Sequence, residues 1–234
     1  MQRVIYTYTA PSKTFNDIKR YATWWVPFLI IVVAGAFLFF AITTKITWQQ
    51  VYENNQQNAP QFAKDMREKM APEQRAQSDK YGAISQEVTW ALSPLGLLLI
   101  NVIGAGILLA TINFGFGGKA RFGALLAVTM YAGLVSWVIK MLLGGIAIFA
   151  GLSPESFNIQ NFAGTNIGFY LNPQETSKVL YTIATVLDPL VIWNLVLTSI
   201  GVAIVAGTKR SSGYIAVFGW WALFTLIIVC VSAL

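Results

Sequence analysis

Five long apolar runs alternate with polar stretches along the chain. They cover residues 24–43 (WWVPFLIIVVAGAFLFFAIT), 90–113, 122–150, 189–207 and 213–233. A helix needs roughly 20 mostly apolar residues to cross ~30 Å of hydrocarbon, so each run predicts a membrane span. The third is longer than a crossing requires and is interrupted by Lys140. The polar stretches have periodicities of their own. In residues 44–89, Phe62, Met66 and Met70 fall at i, i+4 and i+8, an apolar stripe on a predicted helix. Pro72 followed by Glu73 predicts the end of that helix and the start of another. In residues 151–188, Asn172, Pro173 and Glu175 read as a helix cap, a first-position proline and a capping-box acid. Val179, Leu180, Ile183, Val186 and Leu187 then recur on one face, predicting an interfacial helix that Pro189 ends. Residues 1–23 read as a tail.

The pattern as a whole predicts an all-α membrane protein, one domain over residues 1–234 with five transmembrane helices. Composition agrees: 56% of residues are hydrophobic and 11% charged, against ~25% charged in soluble domains. The first run is too long and too aromatic for a cleaved leader, so it is expected to remain as a span. The net charge of +6 arises largely from bases that flank the apolar runs. There they read as membrane anchors, and nucleic acid is not an expected partner. Arg3, Lys13, Lys19, Arg20, Lys119, Arg121, Lys209 and Arg210 all fall at one end of the bundle. By the positive-inside rule that end is cytoplasmic, which puts the N-terminus inside and the C-terminus outside. Trp24, Trp25, Trp48 and Trp90 lie near span ends, where aromatic belts form. The chain has no histidine and a single cysteine, Cys230. The commonest general base is therefore missing, as is any disulfide framework within one chain. Neither a cofactor nor a metal site is expected.

Local motifs carry little chemistry. The turn NFGFGGKARFG has Asn113 where a phosphate-binding loop needs its first glycine, and Ala120 where it needs a hydroxyl. Its glycines fit a tight reversal, and Lys119 and Arg121 fit lipid phosphates. Lys140 and Asp188 are the ionisable groups nearest the apolar interior. Lys140 lies eighteen residues past Phe122, about 27 Å along a helix. That depth matches Asp188, which opens the fourth span from the same side, so an ion pair is expected. Asp before Pro at a helix start is also a capping signal. Ala124, Val128, Ala132, Ser136, Lys140 and Gly144 form a series of mostly small residues at i, i+4 spacing, and Ser199, Ala203 and Gly207 form another. Such faces predict close helix packing. Asn101 and Asn194 are expected to hydrogen-bond between helices. Ser136 and Lys140 stand one turn apart, but no oxyanion-hole motif accompanies them, so an enzyme is not expected.

Several of these residues also carry a family resemblance. Pro11, Thr14 and Phe15 form a Pro-x-x-Thr-Phe entry before the first span. Gly117, Gly118 and Arg121 form a glycine turn with a basic residue, and Met130, Tyr131 and Ala132 hold a Tyr-Ala position. Asp188, Ile192 and Trp193, followed by Gly201, match Asp-x-x-x-Ile-Trp and a glycine. In this order, on a five-span plan, the chain resembles the YIP-domain family of membrane proteins, named for relatives that interact with Rab-type GTPases in Golgi and ER traffic. It departs from the family in having Gly133, Leu134 and Val135 where relatives often place a proline. Without the long N-terminal region of eukaryotic members it resembles the shorter bacterial branch, whose members often accompany export-type ABC transporters and periplasmic adaptors. The resemblance implies a non-enzymatic accessory or scaffold of a transport system in the bacterial inner membrane, with an exporter permease and an adaptor protein as partners. The stripe of Phe62, Met66 and Met70 is then a candidate docking surface. The alternative expectation is a small transporter or channel using Lys140 and Asp188.

Overall fold

The computed structural model describes residues 2–57, 59 and 61–232. Among these residues the chain is helical, without strands. Five helices are long and apolar enough to span a membrane: Trp25–Lys45, Ser93–Gly115, Phe122–Phe149, Pro189–Ala206 and Arg210–Ser232. They are α3 (Trp25–Lys45), α7 (Ser93–Ala110) running into a π-turn at Thr111–Gly115, α8 (Phe122–Gly133) joined through a second π-turn to α9 (Ile139–Phe149), α11 (Pro189–Ala206) and α12 (Arg210–Ser232). Prolines open α7 and α11, where a missing N–H costs nothing.

The core forms around α8. Ala124, Leu125, Ala127, Val128, Met130 and Ala132 are all buried, so this helix is covered on every side. α2 (Pro11–Arg20), α3, α7 and α11 pack against it. By contrast α7 and α12 turn large apolar side chains outward, among them Leu99, Ile100, Leu226 and Ile227. In a membrane these faces meet acyl chains, while the backbone polar groups are satisfied within each helix.

The segment expected as a tail, residues 1–23, folds over its described part, 2–23. α1 (Gln2–Thr9) and α2 (Pro11–Arg20) make a short hairpin, and α2 is wedged between α8 and α11. Phe15 and Ile18 are fully buried there. The loop between the first two spans holds α4 (Trp48–Gln57), α5 (Gln61–Glu68) and α6 (Pro72–Ala91). α6 extends past the expected boundary at residue 90, so Trp90 belongs to it and packs on Trp48 and Phe162. The helix expected before the fourth span is α10, Lys178–Val186. Its cap is Ser177, whose hydroxyl accepts from the Leu180 amide, and not Asn172. Asn172 nucleates only a turn, its side chain and carbonyl accepting from Gln174, Glu175 and Thr176. Leu180, Ile183 and Leu187 are exposed along one side of α10.

Gly207 does not pack one span against the next. It takes φ 69°, left-handed, and ends α11 while the Thr208 amide returns to the Ala203 carbonyl at 3.0 Å. Glycine enters this conformation without a Cβ clash, which is why it serves as a C-terminal stop.

Candidate functional site

Lys140 lies in the second half of the third span, at the start of α9, and Asp188 caps the fourth. Lys140 Nζ lies 2.8 Å from Asp188 Oδ2, and the carboxylate is completely buried. Its Oδ1 accepts from the Leu190 amide at 2.8 Å, holding the first turn of α11. The same Oδ2 accepts from the Thr165 hydroxyl and, at 3.4 Å, from Asn166 Nδ2. Asn166 is itself locked by reciprocal amide bonds to Asn161, at 2.8 and 3.1 Å, and by the Phe169 amide. Burial alone would raise the Asp188 carboxyl. The hydrogen bonds from Lys140 and Thr165, together with the lysine charge, hold it below its ordinary value.

Sequence reasoning placed the two charges but missed Thr165, Asn161 and Asn166. These sit in a loop of no regular period, where only their polarity between glycines and aromatics marked them. Gly164, at φ 65°, lets the chain turn just before Thr165.

The remaining candidates separate. Ser136 accepts a hydrogen bond from Asn194 Nδ2 at 3.2 Å and so joins the third span to α11. No hydrogen bond between Ser136 and Lys140 is present among the described residues. Asn101, in contrast, bonds the Leu97 carbonyl of its own helix and joins no second helix among the described residues. Ala132 is buried, and Gly144 faces Leu38 and Phe162 so closely that a methyl there would fall 2.5 Å from the Phe162 ring. Ser199 and Ala203 meet Gly213 of α12, where an added Cβ would fall 2.2 Å from the Ser199 carbonyl.

The stripe on the loop between the first two spans is broken. α5 ends at Glu68, so Met70 lies beyond it, half-buried, and the Phe62 side chain lies outside the described residues. Met66 is exposed. Arg75 donates to the carbonyls of Arg67 and Glu68, and Arg67 forms a two-armed bridge to Asp79 at 3.1 and 2.6 Å. These contacts stop α5 and fold it onto α6.

A second convergence lies at the opposite end. Thr7 and Thr14 both donate to the Arg3 carbonyl, closing the hairpin, while Arg3 bridges to Asp17 and to the Tyr21 carbonyl. The Arg3 side chain also faces the Tyr131 hydroxyl. Phe15 sits against Gly201, where an added Cβ would be 3.0 Å from its ring and 2.5 Å from Val128 Cγ1. In the glycine turn, Gly117 takes φ 67° and the Asn113 amide brackets Ala120 by two hydrogen bonds. The Lys119 amide donates to the Ala206 carbonyl, tying the turn to the end of α11.

Thr14, Phe15, Tyr131 and Gly201 thus gather around the N-terminal hairpin, Gly118 packs against Ala206 at the end of α11, and Asp188 caps the other end of that helix. Residues 5–231 match the family model of the Yip1 domain. The chain belongs to the Yip1 family. No curated protein and no solved structure matches the sequence. The Yip1 match takes in the first four spans, nearly all of the fifth, and the assembly around Lys140 and Asp188.

Proposed function

We propose that this Yip1-family membrane protein is a non-enzymatic accessory or scaffold subunit of a membrane transport system. In this reading it sits in a bacterial inner membrane, N-terminus in the cytoplasm, beside an ABC-type exporter and its periplasmic adaptor. The observation that supports it is the way polar groups in and beside the spans are consumed. Lys140 is matched by Asp188, Ser136 by Asn194, and Thr111 by the Trp220 indole N–H. Each bond joins two segments and leaves a neutral or hydrogen-bonded pair. A carrier of ions needs groups that change partners along a path, whereas these act as staples. The bacterial setting and the exporter come from the resemblance to the short bacterial branch. Purification from native membranes in a mild detergent tests the proposal. Co-purification of an ATPase and an adaptor in fixed ratio is expected. Recovery of the protein alone, with solute flux in liposomes that Lys140→Met abolishes, would replace it with the transporter reading.

A further inference from the structure

Charge is distributed very unevenly between the two ends of the bundle. The end that carries α1, α2 and the α7–α8 and α11–α12 turns holds eight of the sixteen basic residues but one of the ten acids, Asp17. That acid is already bound to Arg3. Lys19, Arg20, Lys119, Arg121, Lys209 and Arg210 form no ion pair among the described residues.

These cations are gathered by specific contacts from three segments far apart in sequence. Arg121 donates one arm to the Lys19 carbonyl at 2.9 Å, fixing α2 beside the start of α8. Lys19 Nζ lies 3.7 Å from where a Cβ on Gly207 would stand, so it reaches over the turn that leads to Lys209. The Lys119 amide is bonded to Ala206, one residue before the same turn. Like charges gathered on one face repel one another, and an anion among them relieves that repulsion. α8 adds to the positive field, because its N-terminus lies at this face and no side chain caps it.

We propose that Lys19, Lys119, Arg121 and Lys209 form a binding site for the phosphate of an anionic phospholipid. The neighbouring side chains distinguish a lipid from a free phosphate. Tyr21, Trp25, Phe114 and Phe122 are exposed around the same end, Phe114 by 90%. A soluble anion gains nothing from such rings, whereas a lipid offers them its glycerol and upper acyl region. The site would hold a headgroup against the junction of α2, α8 and α11, and so favour the docked hairpin. It does not depend on the transport reading or on which way the chain is inserted.

Melting curves of the full-length protein in nonionic detergent, titrated with short-chain phosphatidylglycerol, phosphatidylcholine or inorganic phosphate, test this. Phosphatidylglycerol is expected to raise the melting temperature saturably, with the other two giving little shift. A cation near an anionic lipid contributes roughly fivefold in affinity, so K19Q/R121Q should weaken half-saturation by roughly thirtyfold. K64Q/K69Q removes the same charge at the opposite end and should change it by less than about twofold. Equal weakening by both pairs, or an equal shift with phosphatidylcholine or inorganic phosphate, overturns the proposal. If K19Q/R121Q fails to fold, lysine acetylation of the unmodified chain in vesicles decides. Phosphatidylglycerol vesicles should protect Lys19, Lys119 and Lys209 about fivefold over phosphatidylcholine vesicles, leaving Lys64 unchanged, and equal labelling in both overturns it.

Discussion

Asp188 receives hydrogen bonds from the loop, from the third span and from its own helix, so its removal should be felt in all three. Replacing one partner of a buried ion pair strands the other, at about 3 kcal/mol. Asp188→Asn is therefore expected to lower the melting temperature in detergent clearly, and Lys140→Met less, because the Lys140 side chain is only partly buried whereas Asp188 is fully so. The double variant should lose less than the sum of the two, by about 2 kcal/mol of coupling. Additive losses would mean that the two residues act separately. The sign of the pH effect follows from the depressed carboxyl. Its stabilisation is complete above the unfolded aspartate value, about 3.9, and is lost as pH falls through the lower folded value. Melting temperature should then stay level on this account from pH 8 to 5 and fall in stronger acid, with a shallower fall in Asp188→Asn. The two charges were legible in the sequence because charges are rare beside apolar runs. Thr165, Asn161 and Asn166 were not, since their roles depend on a contact across more than twenty residues of irregular chain.

Among the elements, the N-terminal hairpin shows where pattern reading stops. Helices as short as α1 and α2 are marginal on their own and persist through packing on a partner. In the sequence they show only a Pro-x-x-Thr-Phe motif and the pair Phe15 and Ile18, a turn apart. The spans needed no such help, because twenty apolar residues are a signal in themselves. Docking of α2 relies on Gly201 having no side chain. Gly201→Ala would drive a methyl into Val128 and Phe15 at a cost of about 2 kcal/mol, relieved in part by Val128→Ala. Limited proteolysis should then cleave within residues 10–24 faster in Gly201→Ala, and near the original rate in the double variant. The α3–α4 corner offers the opposite case. Thr47 adopts φ 81°, unfavourable for a β-branched residue, while its hydroxyl accepts from the Gln50 amide. Asparagine tolerates that backbone and can cap equally well, so Thr47→Asn is expected to stabilise by about 0.5–1 kcal/mol, read as a higher melting temperature.

For the whole molecule, an odd number of spans puts the two termini at opposite ends of the bundle, and the charges predict an orientation. One end has eight bases and one acid, the other eight bases and nine acids. Counting bases alone gives no preference, but the bases at the first end lie within short turns beside the spans, where they resist translocation most strongly. Those at the other end are mostly spread over a long helical loop, balanced by acids and partly fixed in the Arg67–Asp79 bridge. The physics therefore favours the hairpin end in the cytoplasm. Cys230 is the only cysteine, so Cys230→Ser gives a clean background for mapping. Gln160→Cys and Ser211→Cys would place single thiols at exposed positions on opposite ends. In intact cells a membrane-impermeant maleimide should label the thiol at 160 and reach the one at 211 only after permeabilisation. The reverse pattern would put the basic end outside. The hairpin junction would then face the exterior, and a cytoplasmic partner would have to engage the chain at the Lys140–Asp188 end.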